Sequence, residues 1–252
     1  MSGIALRWTI GDVSSRGQEA LRLSIWGAWK LFGPAADYLV CVHTLPVELV
    51  RARTRPIPPG IQWLPCGGGT PWELEPPRYY PDRHEICIAN NLILWEMPAT
   101  LKDWLDQRTR CLLTEDIWAC YGRFGDLCGK TAYNLGLRGM PPGFDLGVVQ
   151  QGLLELRPGS LCSREADERG LQVAALSLTG APFGVTLQEV SLCSPFYPHQ
   201  PYLGRCGSHF LGVNSSQIPW DYYGRPADVW MDEHWRRYFP VLIERVRMVF
   251  RR

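Results

Sequence analysis

The chain has 252 residues, 46% hydrophobic and 20% charged, the composition of an ordinary globular protein long enough to bury a sizeable core. Twenty-six basic against 25 acidic residues leave a net charge of +1, which gives no global pull toward nucleic acid or an acidic membrane surface. No run approaches the ~18 apolar residues of a membrane span, and Met1–Arg7 lacks the basic and apolar regions of a signal peptide, so a cytoplasmic protein without a nucleic-acid partner is expected.

Ile4–Ile10 reads as a first strand, and Gly11-Asp12-Val13-Ser14-Ser15 as a polar turn holding helix N-cap residues. Leu21, Ile25, Ala28 and Phe32 recur at helical spacing until Gly33-Pro34 stops the helix. Asp37–His43 is a second apolar strand, and strand, helix, strand in that order opens a parallel α/β sheet. Leu45–Val50 reads as a short helix and Gly60–Leu64 as a third strand. Pro65–Asp82, with Gly67-Gly68-Gly69, Pro71, Pro76, Pro77 and Pro81, holds too many breakers for regular structure, and its glycines lack the Lys-Ser or Lys-Thr of a phosphate loop.

Glu85–Trp95 is the stretch around which the rest is organised. Its apolar residues run continuously, as in a strand covered on both faces, and only Asn90-Asn91 interrupts them. Two amides in a buried run need partners, which places them either at a strand-terminal turn or at the mouth of a ligand cleft. Beyond it, Pro98–Gln107 reads as a helix, Cys111–Asp116 as a strand ending in carboxylates, and Tyr133–Gly139 as a strand with a buried Asn134. A helix through about Glu155, a helix over Asp167–Leu178, a strand over Val185–Glu189 and a loop-rich Pro195–Trp220 follow. Trp230–Arg252 reads as an arginine-rich amphipathic helix. No repeat or linker divides the chain, so a single domain over residues 1–252 is expected.

Nine cysteines without a Cys-x-x-Cys pair argue against a structural zinc or a disulfide framework and for reduced, mostly buried thiols. Eleven tryptophans, many beside Gly or Pro, are core residues or sugar and base platforms. Pro219-Trp220-Asp221-Tyr222-Tyr223-Gly224-Arg225 gathers rings, a carboxylate and a guanidinium, a mixture suited to stacking on a sugar or to an ordinary aromatic loop.

Four segments in order carry a family pattern: Ala89-Asn90-Asn91, Tyr133-Asn134-Leu135-Gly136, Asp167-Glu168-Arg169-Gly170-Leu171-Gln172, and His209-Phe210-Leu211-Gly212 followed by Pro219-Trp220. They resemble the Asp-x-Asp, Phe/Tyr-Asn-Ser/Ala-Gly, Asp-Gln with Leu-Asn, and His-x-x-Gly-x-x-Lys-Pro-Trp segments of the family 8 retaining glycosyltransferases, the glycogenin and lipopolysaccharide galactosyltransferase type. The resemblance implies an α/β, GT-A-like nucleotide-diphospho-sugar transferase fold with a mostly parallel central sheet flanked by helices. It also implies a nucleotide-binding half over about residues 1–95 and an acceptor-side half over about 96–252.

The implied function is transfer of a sugar from a nucleotide-diphosphate donor, a UDP-sugar, to a sugar or small-molecule acceptor. On the resemblance, Asp167, Glu168 and Asn134 are the catalytic residues at the donor sugar. Asp12, Asn90, Asn91, His209, Gly212 and Trp220 bind the nucleotide sugar. In the family, two carboxylates and a histidine hold a divalent cation, Mn or Mg, that neutralises the departing diphosphate. Here Ala89 and Asn91 stand where the carboxylates belong, so hard-cation affinity is expected to be much reduced, with cationic side chains such as Arg138, Arg205 or Arg225 as substitutes. The alternative is a catalytically inactive nucleotide-sugar-binding protein that keeps the fold without its metal site.

Overall fold

The computed structural model describes residues 3–66, 78–159, 164–199 and 201–247. In chain order the elements are β1 (Ile4–Ile10), α1 (Ser15–Phe32), β2 (Asp37–Val42), α2 (Val47–Thr54), β3 (Ile61–Pro65), β4 (His84–Ile88), β5 (Leu92–Leu94), α3 (Ala99–Leu105), β6 (Leu112–Glu115) and, after a 3-10 turn at Gly122–Leu127, β7 (Tyr133–Met140). Then come α4 (Leu146–Leu156), α5 (Arg164–Ser177), β8 (Phe183–Val185), β9 (Val190–Cys193), β10 (Gly207–Phe210), the hairpin β11 (Asp221–Tyr222) and β12 (Arg225–Pro226), and α6 (Ala227–Val246).

Among the described residues seven strands form the central sheet in the order β3-β2-β1-β4-β7-β6-β8. The pairs are parallel except on either side of β7, which runs against β4 and β6. One consequence is that β1, β2, β4 and β6 all end at the same edge, where chains of this architecture place ligands. Helix α1 starts at an N-cap in which Ser14 Oγ accepts the Gly17 N–H, and it buries Ala20, Leu21, Ser24, Ile25 and Ala28 at helical spacing. Each fully buried leucine or isoleucine of this kind contributes roughly 1.5–3 kcal/mol. Gly27 lets the helix approach β5 so closely that a Cβ there would lie 2.0 Å from the Leu94 carbonyl oxygen. The Trp8 indole donates to Ser24 Oγ (2.8 Å), which donates to the Leu92 carbonyl (2.6 Å), joining the first strand, the first helix and β5.

Buried charge also sits in the sheet. Glu85, 1% exposed, faces Arg7 Nε at 3.1 Å and Arg78 Nε at 3.7 Å. Arg78 further donates to the carbonyls of Tyr80, Arg83, Pro141 and Phe144, fastening the segment before β4 to the one after β7.

Several expectations are corrected. Glu85–Trp95 is not one strand: β4 belongs to the central sheet, and β5 to a second sheet of order β5-β10-β9. The chain turns at Asn90-Asn91, closed by Leu92 N–H donating to the Ala89 carbonyl (2.9 Å). The strand expected at Val185–Glu189 ends at Val185, because Thr186 and Glu189 close a turn in which Glu189 N–H donates to the Thr186 carbonyl (3.0 Å) and β9 begins only at Val190. Inside the stretch read as loop lies β10, buried throughout. The C-terminal helix starts earlier than Trp230, at Ala227. The triple glycine at 67–69, prolines 71, 76 and 77, Cys162 and the last residues of the expected C-terminal helix lie outside the described residues. The eight described cysteines are free thiols, buried except for Cys66 and Cys120, and burial pushes Cys41, Cys111 and Cys193 up to about 12. Among the described residues no helix is long and apolar enough to cross a membrane.

Candidate functional site

A cavity of about 880 Å³ opens at the shared carboxyl edge of the sheet. Its wall comes from the turns after four strands: Gly11–Val13 after β1, His43 and Thr44 after β2, Ala89–Asn91 after β4, and Asp116–Trp118 after β6. Asn134–Gly136 on β7, Arg169 on α5, and Pro198, His199, His209 and Asn214 complete it.

The Asn90-Asn91 turn is held from two sides. Asn90 and Asn214 exchange a reciprocal pair of amide hydrogen bonds, 2.7 and 3.0 Å, and Asn90 Nδ2 also lies 3.2 Å from the Gly17 carbonyl. Asn91 Nδ2 donates to the Phe210 carbonyl (2.8 Å), which leaves its Oδ1 to accept from His209 Nε2 at 3.1 Å. That pairing puts the imidazole proton on Nε2. Nδ1 keeps its lone pair, buried and without a hydrogen-bond partner among the described residues. Gly136 allows this packing, since a Cβ there would lie 2.5 Å from Nδ1. Asn134 shapes the same strand: its Nδ2 donates to the Glu115 carbonyl (2.7 Å) and its Oδ1 accepts the Gly136 N–H (2.8 Å).

The wall carries three imidazoles, and burial lowers the pKa of each. Burial is the largest cause for His209, the positive charges of Arg169 and His199 add to it, and the value falls to about 4. The Asp116 charge and a hydrogen bond that the His199 ring donates to the Phe196 carbonyl counteract burial at His199. Among the described residues two carboxylates line the cavity, Asp12 on the exposed rim and Asp116, whose Oδ2 lies 3.4 Å from Arg169 Nη1.

Folding therefore depends on acid. His209 and His234 are each held at about 4 against an ordinary 6.5, mainly by burial. Unfolding restores the ordinary value, so between these values the unfolded chain binds more protons, and stability is lost as pH falls from 6.5 toward 4. By pH 5 the loss is roughly 2 kcal/mol for each imidazole. Urea midpoints measured across this range should fall with acid, and His234→Gln should flatten the fall; a midpoint independent of pH would contradict the burial of both rings.

Of the residues singled out from the sequence, Asp12, Asn90, Asn91, Asn134 and His209 meet on the cavity wall. Asp167, Glu168, Gly212 and Trp220 are not among its lining residues. Asp167 is buried and its Oδ1 accepts the Arg123 N–H (2.9 Å), anchoring the 3-10 turn to α5, and Glu168 is buried beside it. Gly212 has a left-handed φ of 86° and lies against Met231, and Trp220 packs edge-on to Phe196 at 4.6 Å. Arg138 is buried in β7, Arg205 faces Glu189 and Arg225 pairs with Glu233, so none of the three cations expected from the sequence lines the cavity. Arg169 does, two positions after Asp167, and sequence reading missed it along with His43, His199 and Asn214.

The donor set does not fit a hard divalent cation. At the turn after β4 it offers the Ala89 methyl group, an Asn91 amide oxygen already accepting from His209, and a neutral imidazole. Among the described residues no three His, Cys, Asp or Glu side chains converge to hold a metal ion.

No family model and no curated protein matches the sequence. Solved structures do match the architecture. The galactosyltransferase LgtC, in complex with donor and acceptor sugar analogues, superposes with a TM-score of 0.57 at 10% identity over 98% of both chains. The chain has the GT-A glycosyltransferase fold. An active-site mutant of LgtC superposes equally well, at 11% identity over the same share of each chain. The apo-form glycosyltransferase GlyE of Streptococcus pneumoniae TIGR4 superposes with a TM-score of 0.51 at 13% identity, over 97% of this chain and 63% of that one.

Proposed function

We propose that the chain transfers a hexosyl group from a nucleotide-diphosphate donor, UDP-linked and with retention as the family 8 resemblance implies, to a sugar or small-molecule acceptor, without a divalent cation. The observation that carries this reading is the composition of the cavity wall. In a GT-A fold, at the carboxyl edge of the sheet, the turn that should present carboxylates presents Ala89 and Asn91, and a guanidinium, Arg169, lines the same space.

A departing diphosphate needs its growing charge neutralised. The planar fork of Arg169 matches phosphate oxygens in pairs and acts most strongly in a cavity that excludes water. Asp116 holds that fork on the wall until the phosphates compete for it. The imidazoles of His43 and His199 offer hydrogen bonds, and an arriving anion favours the protonated form of these rings and of His209, whose Nδ1 then becomes a donor, and so adds positive charge where it is needed. Asn134 and His209 face the donor from β7 and β10, Asp12 faces the nucleotide from the rim, and Asn90 and Asn91 keep the turn in shape. Asp167 and Glu168 act as positioning residues, holding α5 and with it Arg169 against the cavity, and Gly212 shapes the loop after β10.

Melting-temperature shifts with UDP, UDP-glucose and UDP-galactose test the reading, each in EDTA and with excess Mn. A ligand bound only by the folded chain raises stability by mass action. The expected result is a shift in EDTA that Mn changes little. A shift seen only with Mn would overturn the metal-free mechanism, and no shift under either condition would overturn the donor class. The replaced carboxylates also favour the inactive binding protein, and binding without release of UDP on addition of acceptors would establish it.

A further inference from the structure

We infer that the exposed aromatic rings beside the cavity mouth form a binding surface for a carbohydrate acceptor chain, an inference that rests on the glycosyltransferase reading above. The surface is built on the β11–β12 hairpin and the segment Phe196–His199. Tyr222 is its centre: its ring meets Phe196 at 5.2 Å, Tyr223 at 4.7 Å and Trp230 at 6.2 Å, and its hydroxyl oxygen accepts the Tyr197 N–H at 3.1 Å. Trp220 packs edge-on against Phe196 and Tyr222, so half-exposed and fully exposed rings stand together. Tyr197 is 82% exposed, Tyr223 86% and Trp220 46%.

Three observations assign the occupant. The surface is continuous with the cavity, because Pro198 and His199, the next two residues after Tyr197, line it, and Trp118, 61% exposed, lines it as well. A chain held on these rings can therefore present its end to the donor. The rings are also amphipathic: flat apolar faces suit the C–H faces of pyranose rings, while tyrosine hydroxyls, the exposed Asp221 carboxylate and the Arg225 guanidinium can bond sugar hydroxyls. Finally, the hairpin tip is built against local preference. Tyr223 and Gly224 both have positive φ, 49° and 70°, as a tight two-residue hairpin loop requires, and the first position favours asparagine, aspartate or glycine. An almost fully exposed tyrosine held in left-handed backbone adds little to the core, and backbone strain of this kind collects at binding sites.

The test compares the wild-type chain with a Tyr197→Ala/Tyr223→Ala double variant, whose rings are too exposed to matter for folding. Maltohexaose, cellohexaose and lacto-N-tetraose serve as probes in titrations followed by tryptophan fluorescence and saturation-transfer NMR, with melting temperature and UDP response measured in parallel. The expected result is wild-type binding of at least one oligosaccharide, weakened roughly tenfold in the double variant, with melting temperature and UDP response unchanged. Equal binding by both proteins, or no binding by the wild type at millimolar oligosaccharide, would overturn the inference. So would a wild-type dimer that becomes monomeric in the double variant, since the rings would then serve self-association. Ring-dependent oligosaccharide binding in a protein that ignores UDP would support the carbohydrate surface while removing the donor reading, so the two fail separately.

Discussion

Arg169→Ala is expected to weaken UDP binding about 100-fold while leaving the melting temperature unchanged. The magnitude follows from charge-assisted hydrogen bonds, worth about 1.5–3 kcal/mol, with each 1.4 kcal/mol a factor of ten in affinity. The stability side follows from position: the Arg169 side chain is 35% exposed and its Asp116 contact is long, at 3.4 Å, so its loss costs the free protein little. Arg169→Lys keeps the charge but loses the planar fork and should fall between wild type and alanine. Calorimetric titration in EDTA gives the three affinities directly. Undiminished UDP affinity in Arg169→Ala would mean that the diphosphate is neutralised elsewhere.

Glu85→Ala is expected to lower the unfolding free energy by about 3–5 kcal/mol, because a buried ion group then loses its carboxylate while its guanidinium charges stay in the fold. Glu85 sits between Arg7, 2% exposed, and Arg78, 5% exposed, in the middle of the central sheet, so neither guanidinium can reach water without opening the fold. The loss should appear in urea unfolding as a lower midpoint with an unchanged slope. A loss below about 1 kcal/mol would show that Arg7 and Arg78 are satisfied by their other contacts.

The strands β1, β2 and β4 were legible because strands covered on both faces are mainly hydrophobic, although Arg7 and Glu85 interrupt β1 and β4 as a buried pair, and α1 because its buried positions recur at helical spacing. What stayed hidden depends on pairing partners far away in sequence. Residues 84–88 and 92–94 look like one run, yet β5 pairs with β10, a four-residue Gly-Ser-His-Phe strand among glycines that carries almost no local signal. The site shows the same limit at finer scale. Asp167, Glu168 and Arg169 are consecutive on α5, and helix geometry sends consecutive side chains in different directions. Which of the three faces the cavity is set by how α5 packs on the turn at Gly122–Leu127, where Gly170 approaches the Tyr121 carbonyl too closely for any Cβ. The departure at Ala89 and Asn91 needed no such information, because those residue types alone remove the charge.

The contact between Asn91 and His209 joins residues 118 positions apart. Closing so long a loop adds little to the thermodynamic cost, which grows only with the logarithm of length, but long-range pairing is slow to find. During synthesis β1, β2 and β4 can pair as soon as they emerge, whereas this wall of the cavity must wait for β10, whose His209 follows Asn91 by 118 positions. This wall of the cavity is thus formed after the first strands of the sheet, and in refolding the return of a native cavity is expected to lag behind the return of those strands.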